Sequence, residues 1–242
     1  MDSKSRQSIK ILCGLLYMFC LFQWFGISTH WGGQKDQIKE VSNVEKPADN
    51  SNLSQEGEAP KIALTFDDGP NSHCTARLLD GLKERNVRAT FFLIGQNAKE
   101  NPELVKRLDE EGHLIGNHTY HHVDITKLSD EEARQEILDT DQVVYDITGK
   151  HVEYMRPPFG VWQKDLEMEM EVMPVMWTVD PLDWTTENVD EIVNKVVTDT
   201  EESDIILLHD CYDSSVDAAF RIIDILKEKG FEFVTVDELI MG

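Results

Sequence analysis

From residue 61 onward, short apolar runs alternate with longer amphipathic stretches, and this alternation restricts the possible folds more than any other feature of the chain. Ile62–Phe66, Ala89–Ile94, His113–Gly116, Tyr154–Arg156, Val175–Val179, Ile205–His209 and Phe231–Val234 read as strands. Between them, Thr75–Arg85, Pro102–Glu111, Ser129 to about Thr148, Gln163–Met170, Val189–Glu201 and Val216–Lys229 read as helices. Leu78, Leu79 and Leu82 recur at helical spacing in the first. Pro102 opens the second, where a missing N–H costs nothing. Ser129 followed by Glu132 is a capping box opening the third. Seven strands separated by helices, all able to run parallel, predict an α/β fold, either a barrel or an open sheet. Both architectures place chemistry at the C-terminal ends of the strands.

Polar residues collect at those ends. The first run closes on Thr65-Phe66-Asp67-Asp68-Gly69-Pro70 and the third on Asn117-His118-Thr119-Tyr120-His121-His122. The fourth closes on Arg156-Pro157-Pro158-Phe159-Gly160, the fifth on Asp180-Pro181-Leu182-Asp183-Trp184 and the sixth on Leu207-Leu208-His209-Asp210. One Asp-Asp-Gly-Pro alone reads as a turn. Five polar clusters at the strand ends of one domain read as a site.

The set contains the parts of a mononuclear metal hydrolase. His118 and His122 are four residues apart, so on a helical turn both imidazoles share a face. One aspartate completes a His-His-Asp site with positions left for water and substrate. A bound divalent ion lowers the pKa of its water and polarises a carbonyl. His121 would point away from that face, as a surface or supporting histidine. Asp67 and Asp68 are neighbours and diverge along a strand, which suits one ligand and one base. It does not suit paired glycosidase carboxylates, which must face each other across a sugar.

TFDDGP, H-x-x-x-H, RPPFG, DPLDW and LLHD, in this order, resemble the polysaccharide deacetylase family, the NodB homology domain of carbohydrate esterase family 4, and its peptidoglycan N-acetylglucosamine deacetylases in particular. The resemblance covers about residues 60–240. It implies a distorted (β/α) barrel of seven or eight strands. It also implies removal of N-acetyl groups from a glycan such as peptidoglycan, with chitooligosaccharide or exopolysaccharide as alternative substrates. The cofactor it implies is a divalent metal ion, zinc first, with cobalt, manganese or nickel as alternatives. Carried onto this chain, Asp67 would be the general base, and Asp68, His118 and His122 the metal ligands. Arg156 would pair with Asp67 and keep it ionised. The Phe159 backbone N–H would hold the oxyanion; the family often has Tyr there, and the donor is main chain in either case. Asp183 would orient either Arg156 or the catalytic histidine. Trp184 and Leu207 would line the pocket for the acetyl methyl, and His209 would be the general acid. An inactive glycan-binding relative is the competing class, and such a relative would usually have lost one of these residues.

The rest of the chain has a different character. Residues 1–10 carry Lys4, Arg6 and Lys10, and an apolar run follows from Ile11 to Ile27, interrupted by Gln23. A basic flank before an apolar run predicts a transmembrane helix at 11–28 with a cytoplasmic N-terminus. A cleaved signal peptide and secretion are the alternative. Residues 29–60 read as a polar linker, and 61–242 as the catalytic domain outside the cell. The net charge of −23 lies almost wholly in that domain. It argues against nucleic acid or an anionic lipid surface as the main partner, and leaves the oligomeric state open. Cys74 and Cys211 follow the first and last motifs, so an external location permits a disulfide between them. Trp162, Trp177 and Trp184 could stack on sugar, although Trp177 within an apolar run reads first as core.

Overall fold

The computed structural model describes residues 58–162, Leu166 and 171–242. The expected membrane helix at 11–28 and the linker up to residue 57 lie outside the described residues, as does most of the expected helix at 163–170. Among the described residues, no helix is long and apolar enough to cross a membrane.

Among those residues, seven parallel strands make one sheet, in the order β5-β4-β3-β2-β1-β6 with β7 also on β1. They are β1 (Lys61–Asp67), β2 (Thr90–Leu93), β3 (Leu114–Asn117), β4 (Tyr154–Met155), β5 (Met173–Pro174), β6 (Ile205–His209) and β7 (Glu232–Val234). The helices are α1 (Cys74–Glu84), α2 (Gly95–Glu100), α3 (Pro102–Glu110), α4 (Asp130–Thr148), α5 (Val189–Asp199), α6 (Asp213–Glu228) and α7 (Val236–Met241). The central strand is β1, buried from its second residue to its last. Ala63 pairs with both Ile205 and Val234, and Thr65 with both Thr90 and Leu207. Hence β7 and β2 share one edge of β1 in succession, and β6 takes the other. This register sets Asp67 directly beside His209.

The helices cover the sheet with their apolar stripes. Leu78, Leu79 and Leu82 of α1 are fully buried, as are Ile222, Ile223 and Leu226 of α6. Each such side chain contributes roughly 1.5–3 kcal/mol on leaving water. A side chain at Gly81 would collide with the Phe220 ring, which is how α1 and α6 approach so closely. The capping box at Ser129 and Glu132 forms as its spacing implies, and Gly149 closes α4 in the left-handed conformation at φ 75°.

The expected fifth strand at Val175–Val179 is displaced. Pairing is confined to Met173–Pro174, and the chain beyond runs irregularly until Val179 bridges Ile206. The cause is Arg156. Its Nε donates to the Val175 carbonyl at 3.1 Å and its Nη2 to the Met176 carbonyl at 3.2 Å. Those carbonyls therefore serve the guanidinium rather than a ladder. The sheet is an α/β half-barrel, and the irregular segment after β5 reaches β6 through one bridge. Two short helices, α2 and α7, were absent from the sequence reading; six residues carry too little periodicity to register.

Candidate active site

The last residue of β1 is Asp67, which is buried, and its Oδ1 accepts from Arg156 Nη1 at 2.8 Å. Arg156 is the largest fully buried side chain of the fold. The same Nη1 donates to Thr65 Oγ1 at 2.7 Å, and the guanidinium lies over the rings of Phe92 and Trp177 at 4.3 and 5.5 Å. Burial lowers its pKa, and Asp67 opposes the shift only in part. Two acceptors, two carbonyls and two aromatic faces fix this cation in one place.

After Asp67 the backbone turns through the left-handed region at Asp68, φ 74°, which swings the second carboxylate away from the first. The turn is pinned by Asn97 Nδ2 donating to the Asp68 carbonyl at 2.9 Å and by the Ile94 N–H donating to the Gly69 carbonyl at 3.0 Å. Asp68 meets His118 and His122, whose Nε2 atoms lie 3.5 and 3.3 Å from its Oδ1. The two histidines do not share a helical face, contrary to the expectation. They leave β3 on an irregular loop with left-handed backbone at Thr119 and His122, φ 60° and 54°. Asn117 shapes it: its Nδ2 donates to the Ile137 carbonyl, and its Oδ1 accepts from the Thr119 N–H. Helix α2 supports it through Gly95 and Gln96 N–H groups on the Thr119 and Tyr120 carbonyls. The short helix missing from the sequence reading thus braces both ligand-bearing turns.

These three residues fit a divalent ion. One ligand atom from each lies within 4.8 Å of the others. Asp68 Oδ1 is buried without a hydrogen-bond partner, which a cation would satisfy. His118 Nδ1 sits 2.6 Å from the Arg156 carbonyl. A carbonyl only accepts, so Nδ1 carries the proton and Nε2 keeps its lone pair for a metal. Burial raises the Asp68 pKa, but the imidazoles, His118 first, hold it below the ordinary carboxylate value. Burial and the neighbouring His118 lower His122, favouring the neutral ring that ligates.

The last strand end contributes a dyad. His209 Nδ1 lies 2.8 Å from Asp183 Oδ1, while Asp183 Oδ2 accepts from the His209 N–H at 2.9 Å and from Ser215 Oγ at 2.5 Å. Asp183 therefore orients the histidine and not Arg156, which decides the alternative left open by the sequence. Burial opposes charge on His209, but the Asp183 carboxylate overrides it and raises the ring to about 9. Burial likewise pushes the neighbouring Asp210 up to about 7, against a hydrogen bond from Thr75.

Asp67, Asp68, His118, His122 and His209 line one cavity of about 430 Å³, together with Phe159, Trp184 and Leu207, whereas Arg156, Asp183 and Asp210 do not line it. Phe159 stands 67 % exposed on a left-handed residue, φ 61°, and Trp184 is 56 % exposed. Holding Phe159 in that conformation costs on the order of 1–2 kcal/mol, as at functional rims. Leu182, at φ 59°, and Tyr212 share the rim; neither was singled out from the sequence, although Leu182 lies inside the DPLDW motif. Trp177 lines the cavity as well as stacking on Arg156, and so is not plain core. Trp162 packs beside the Ile125, Ala133 and Ile137 cluster. His121 is exposed and bound to Glu136 at 2.7 Å, away from the triad. Cys74 and Cys211 are free thiols, without the disulfide that their motif positions permitted.

Comparison with known proteins identifies relatives of this chain. The polysaccharide deacetylase family model matches residues 54–175. The chain is 42 % identical to the peptidoglycan-N-acetylglucosamine deacetylase PgdA of Listeria monocytogenes serotype 1/2a over 74 % of its length, spanning 38 % of that relative. It is 36 % identical to a chitooligosaccharide deacetylase of Rhizobium leguminosarum bv. trifolii, covering 80 % of this chain and 94 % of that one. The solved structure of the peptidoglycan deacetylase PdaC from Bacillus subtilis superposes with a TM-score of 0.74 at 39 % identity, over 76 % of this chain and 91 % of that one.

Proposed function

The chain belongs to the polysaccharide deacetylase family, and from that premise we propose that it is a metal-dependent hydrolase removing N-acetyl groups from N-acetylglucosamine units of peptidoglycan. The observation that carries the reading is the convergence, on one cavity, of three separate devices. These are a ligand triad with an orphaned carboxylate oxygen, an Arg-bound aspartate, and an Asp-bound histidine.

A divalent ion held by Asp68, His118 and His122, zinc first, would polarise the acetamide carbonyl and lower the pKa of a water beside it. Asp67 takes a proton from the attacking water. Arg156 occupies its Oδ1, leaving Oδ2 for that proton. The Phe159 N–H donates to the developing oxyanion, an interaction worth about 3–4 kcal/mol where such a donor has been removed. His209 gives a proton from Nε2 to the departing amine, because Asp183 holds Nδ1–H in place. Leu207 and Trp184 enclose the acetyl methyl. The exposed rings of Phe159, Trp184 and Tyr212 offer apolar faces to neighbouring sugars.

The apolar segment at 11–28 would anchor the domain outside the membrane, and residues 29–60 would give it reach to the wall. Chitooligosaccharide is the second substrate, favoured by the relative that this chain covers over 94 % of its length. Acetate release from purified peptidoglycan, set against chitin oligomers, with zinc and with a chelator, tests the reading. Zinc-dependent release from peptidoglycan is expected. Binding of glycan with no release from either polymer would make the chain a binding relative.

A further inference from the structure

Gly69 does not lie in the left-handed region, so conformational freedom does not explain a glycine after the two aspartates. Close approach does. A Cβ there would fall inside the envelope of both carboxylate oxygens of Asp210. Asp210, just beyond β6, is fully buried. Its Oδ2 accepts from Thr75 Oγ1 at 2.5 Å, and Thr75 Oγ1 accepts from the Asn71 N–H at 2.7 Å. Its own N–H donates to the Asp67 carbonyl at 3.3 Å. Its Oδ1 is buried and has no hydrogen-bond partner. The Asp210 carboxyl thus touches the turn at Gly69 and, through Thr75, at Asn71, while its main chain holds the turn's start at the Asp67 carbonyl.

A buried acid with one unpartnered oxygen opposes folding relative to a satisfied group. A side chain that weakens the fold and braces the turn carrying two site aspartates has its use in that turn. We propose that Asp210 is a positioning residue: wedged between Gly69 and Thr75, its carboxyl group sets the direction in which β1 hands over from Asp67 to Asp68. The proposal rests on the reading of Asp67 as base and Asp68 as ligand. It joins the glycine of the first motif to the aspartate of the last, residues that sequence order keeps 141 positions apart.

The test compares the full chain with Asp210→Ala, Asp210→Asn, Thr75→Val, Gly69→Ala and the Gly69→Ala/Asp210→Ala pair. Three quantities are read: zinc affinity by competition with a chromogenic chelator, kcat and KM on chitin oligomers, and amide exchange of the 67–76 segment in metal-free protein. Asp210→Ala should lower zinc affinity and kcat by about 10- to 100-fold, as loss of a supporting contact does, with little change in KM. Exchange in 67–76 should quicken while α6 keeps its protection. Asp210→Asn keeps the shape and an acceptor and should recover most of the zinc affinity. Thr75→Val, which preserves packing, should move all three quantities in the same direction as Asp210→Ala. Gly69→Ala should lose zinc affinity, and adding Asp210→Ala should restore part of it.

Unchanged exchange and zinc affinity in both Asp210→Ala and Thr75→Val would overturn the proposal, as would independent, multiplying effects of Gly69→Ala and Asp210→Ala. Amide exchange needs neither zinc nor substrate. An unaltered chain that released no acetate would therefore overturn the functional reading, while exchange would still decide the role of Asp210.

Discussion

Asp183 accepts two hydrogen bonds from His209, one from the ring Nδ1 at 2.8 Å and one from the backbone N–H at 2.9 Å. The ring and its own main chain are thereby tied to one carboxylate. The unbound Nε2 is left on the cavity side with a fixed tautomer.

That relationship has a pH signature. A general acid works protonated, and Asp183 raises His209 to about 9, so the alkaline limb of kcat should lie well above neutrality. Asp183→Asn removes the charge and keeps the shape. The limb should then move toward lower pH, with kcat reduced by about 10²- to 10⁴-fold at pH 8. The pair also stabilises the fold. Because the folded pKa is above the ordinary imidazole value of 6.5, this contribution is complete below about 6.5 and fades as pH rises through about 9. Melting curves between those limits should show the loss in the unaltered chain and a flatter profile in Asp183→Asn.

Arg156 should be the most costly single residue to replace. Arg156→Met leaves the Asp67 carboxylate buried without its partner and frees the Val175 and Met176 carbonyls. Breaking a buried pair in this way costs about 3–5 kcal/mol. Arg156→Lys should recover little, since an ammonium cannot reach four acceptors in a plane. Urea denaturation reads the loss directly. A cost under about 1 kcal/mol, the range of surface ion pairs, would contradict the role assigned to the guanidinium.

Arg156 also explains what the sequence could and could not disclose. The strand positions of Asp67, Arg156 and His209 follow from short apolar runs that end in polar residues, so the gathering of these groups at one end of the sheet was legible. The route of Val175–Val179 was not, because its carbonyls are claimed by an arginine 19 and 20 residues earlier in the chain. The His118–His122 turn was misread for a similar reason. Spacing alone suggests a helix, and only Asn117, held by α4, shows why the loop bends otherwise. The partner of Asp183 was open in the sequence because burial and hydrogen bonding choose it, and spacing carries neither. Asp210 closes the last polar cluster but carries no role in the sequence, since a buried acid has no periodic signature.

Asp67 and His118 should separate catalysis from metal binding. Asp67→Asn retains a side chain that Arg156 can hold, and the triad is intact. It should bind zinc and lose about 10²- to 10⁴-fold in kcat, as expected for a missing base. His118→Ala removes a ligand and should lose both zinc and activity. Elemental analysis of the two purified variants, alongside acetate release, distinguishes them. Full turnover by Asp67→Asn would remove Asp67 from the role of base.

Metal and stability should be linked through the orphaned Asp68 oxygen. In metal-free protein, Oδ1 is buried without a hydrogen-bond partner and two imidazoles converge on it. An ion that binds there and not to the unfolded chain must raise the melting temperature. At a thousandfold excess over its Kd the gain is about 4 kcal/mol. Chelation should reverse the shift, and His122→Ala should nearly abolish it while leaving the metal-free melting temperature close to that of the parent, because the His122 side chain is only partly buried. Asp68→Asn gives the sharper comparison. Removing the charge forfeits the stabilisation that goes with the depressed Asp68 pKa, so the metal-free protein should become less stable as its response to zinc disappears. A zinc-induced shift of equal size in parent and Asp68→Asn would place the ion elsewhere.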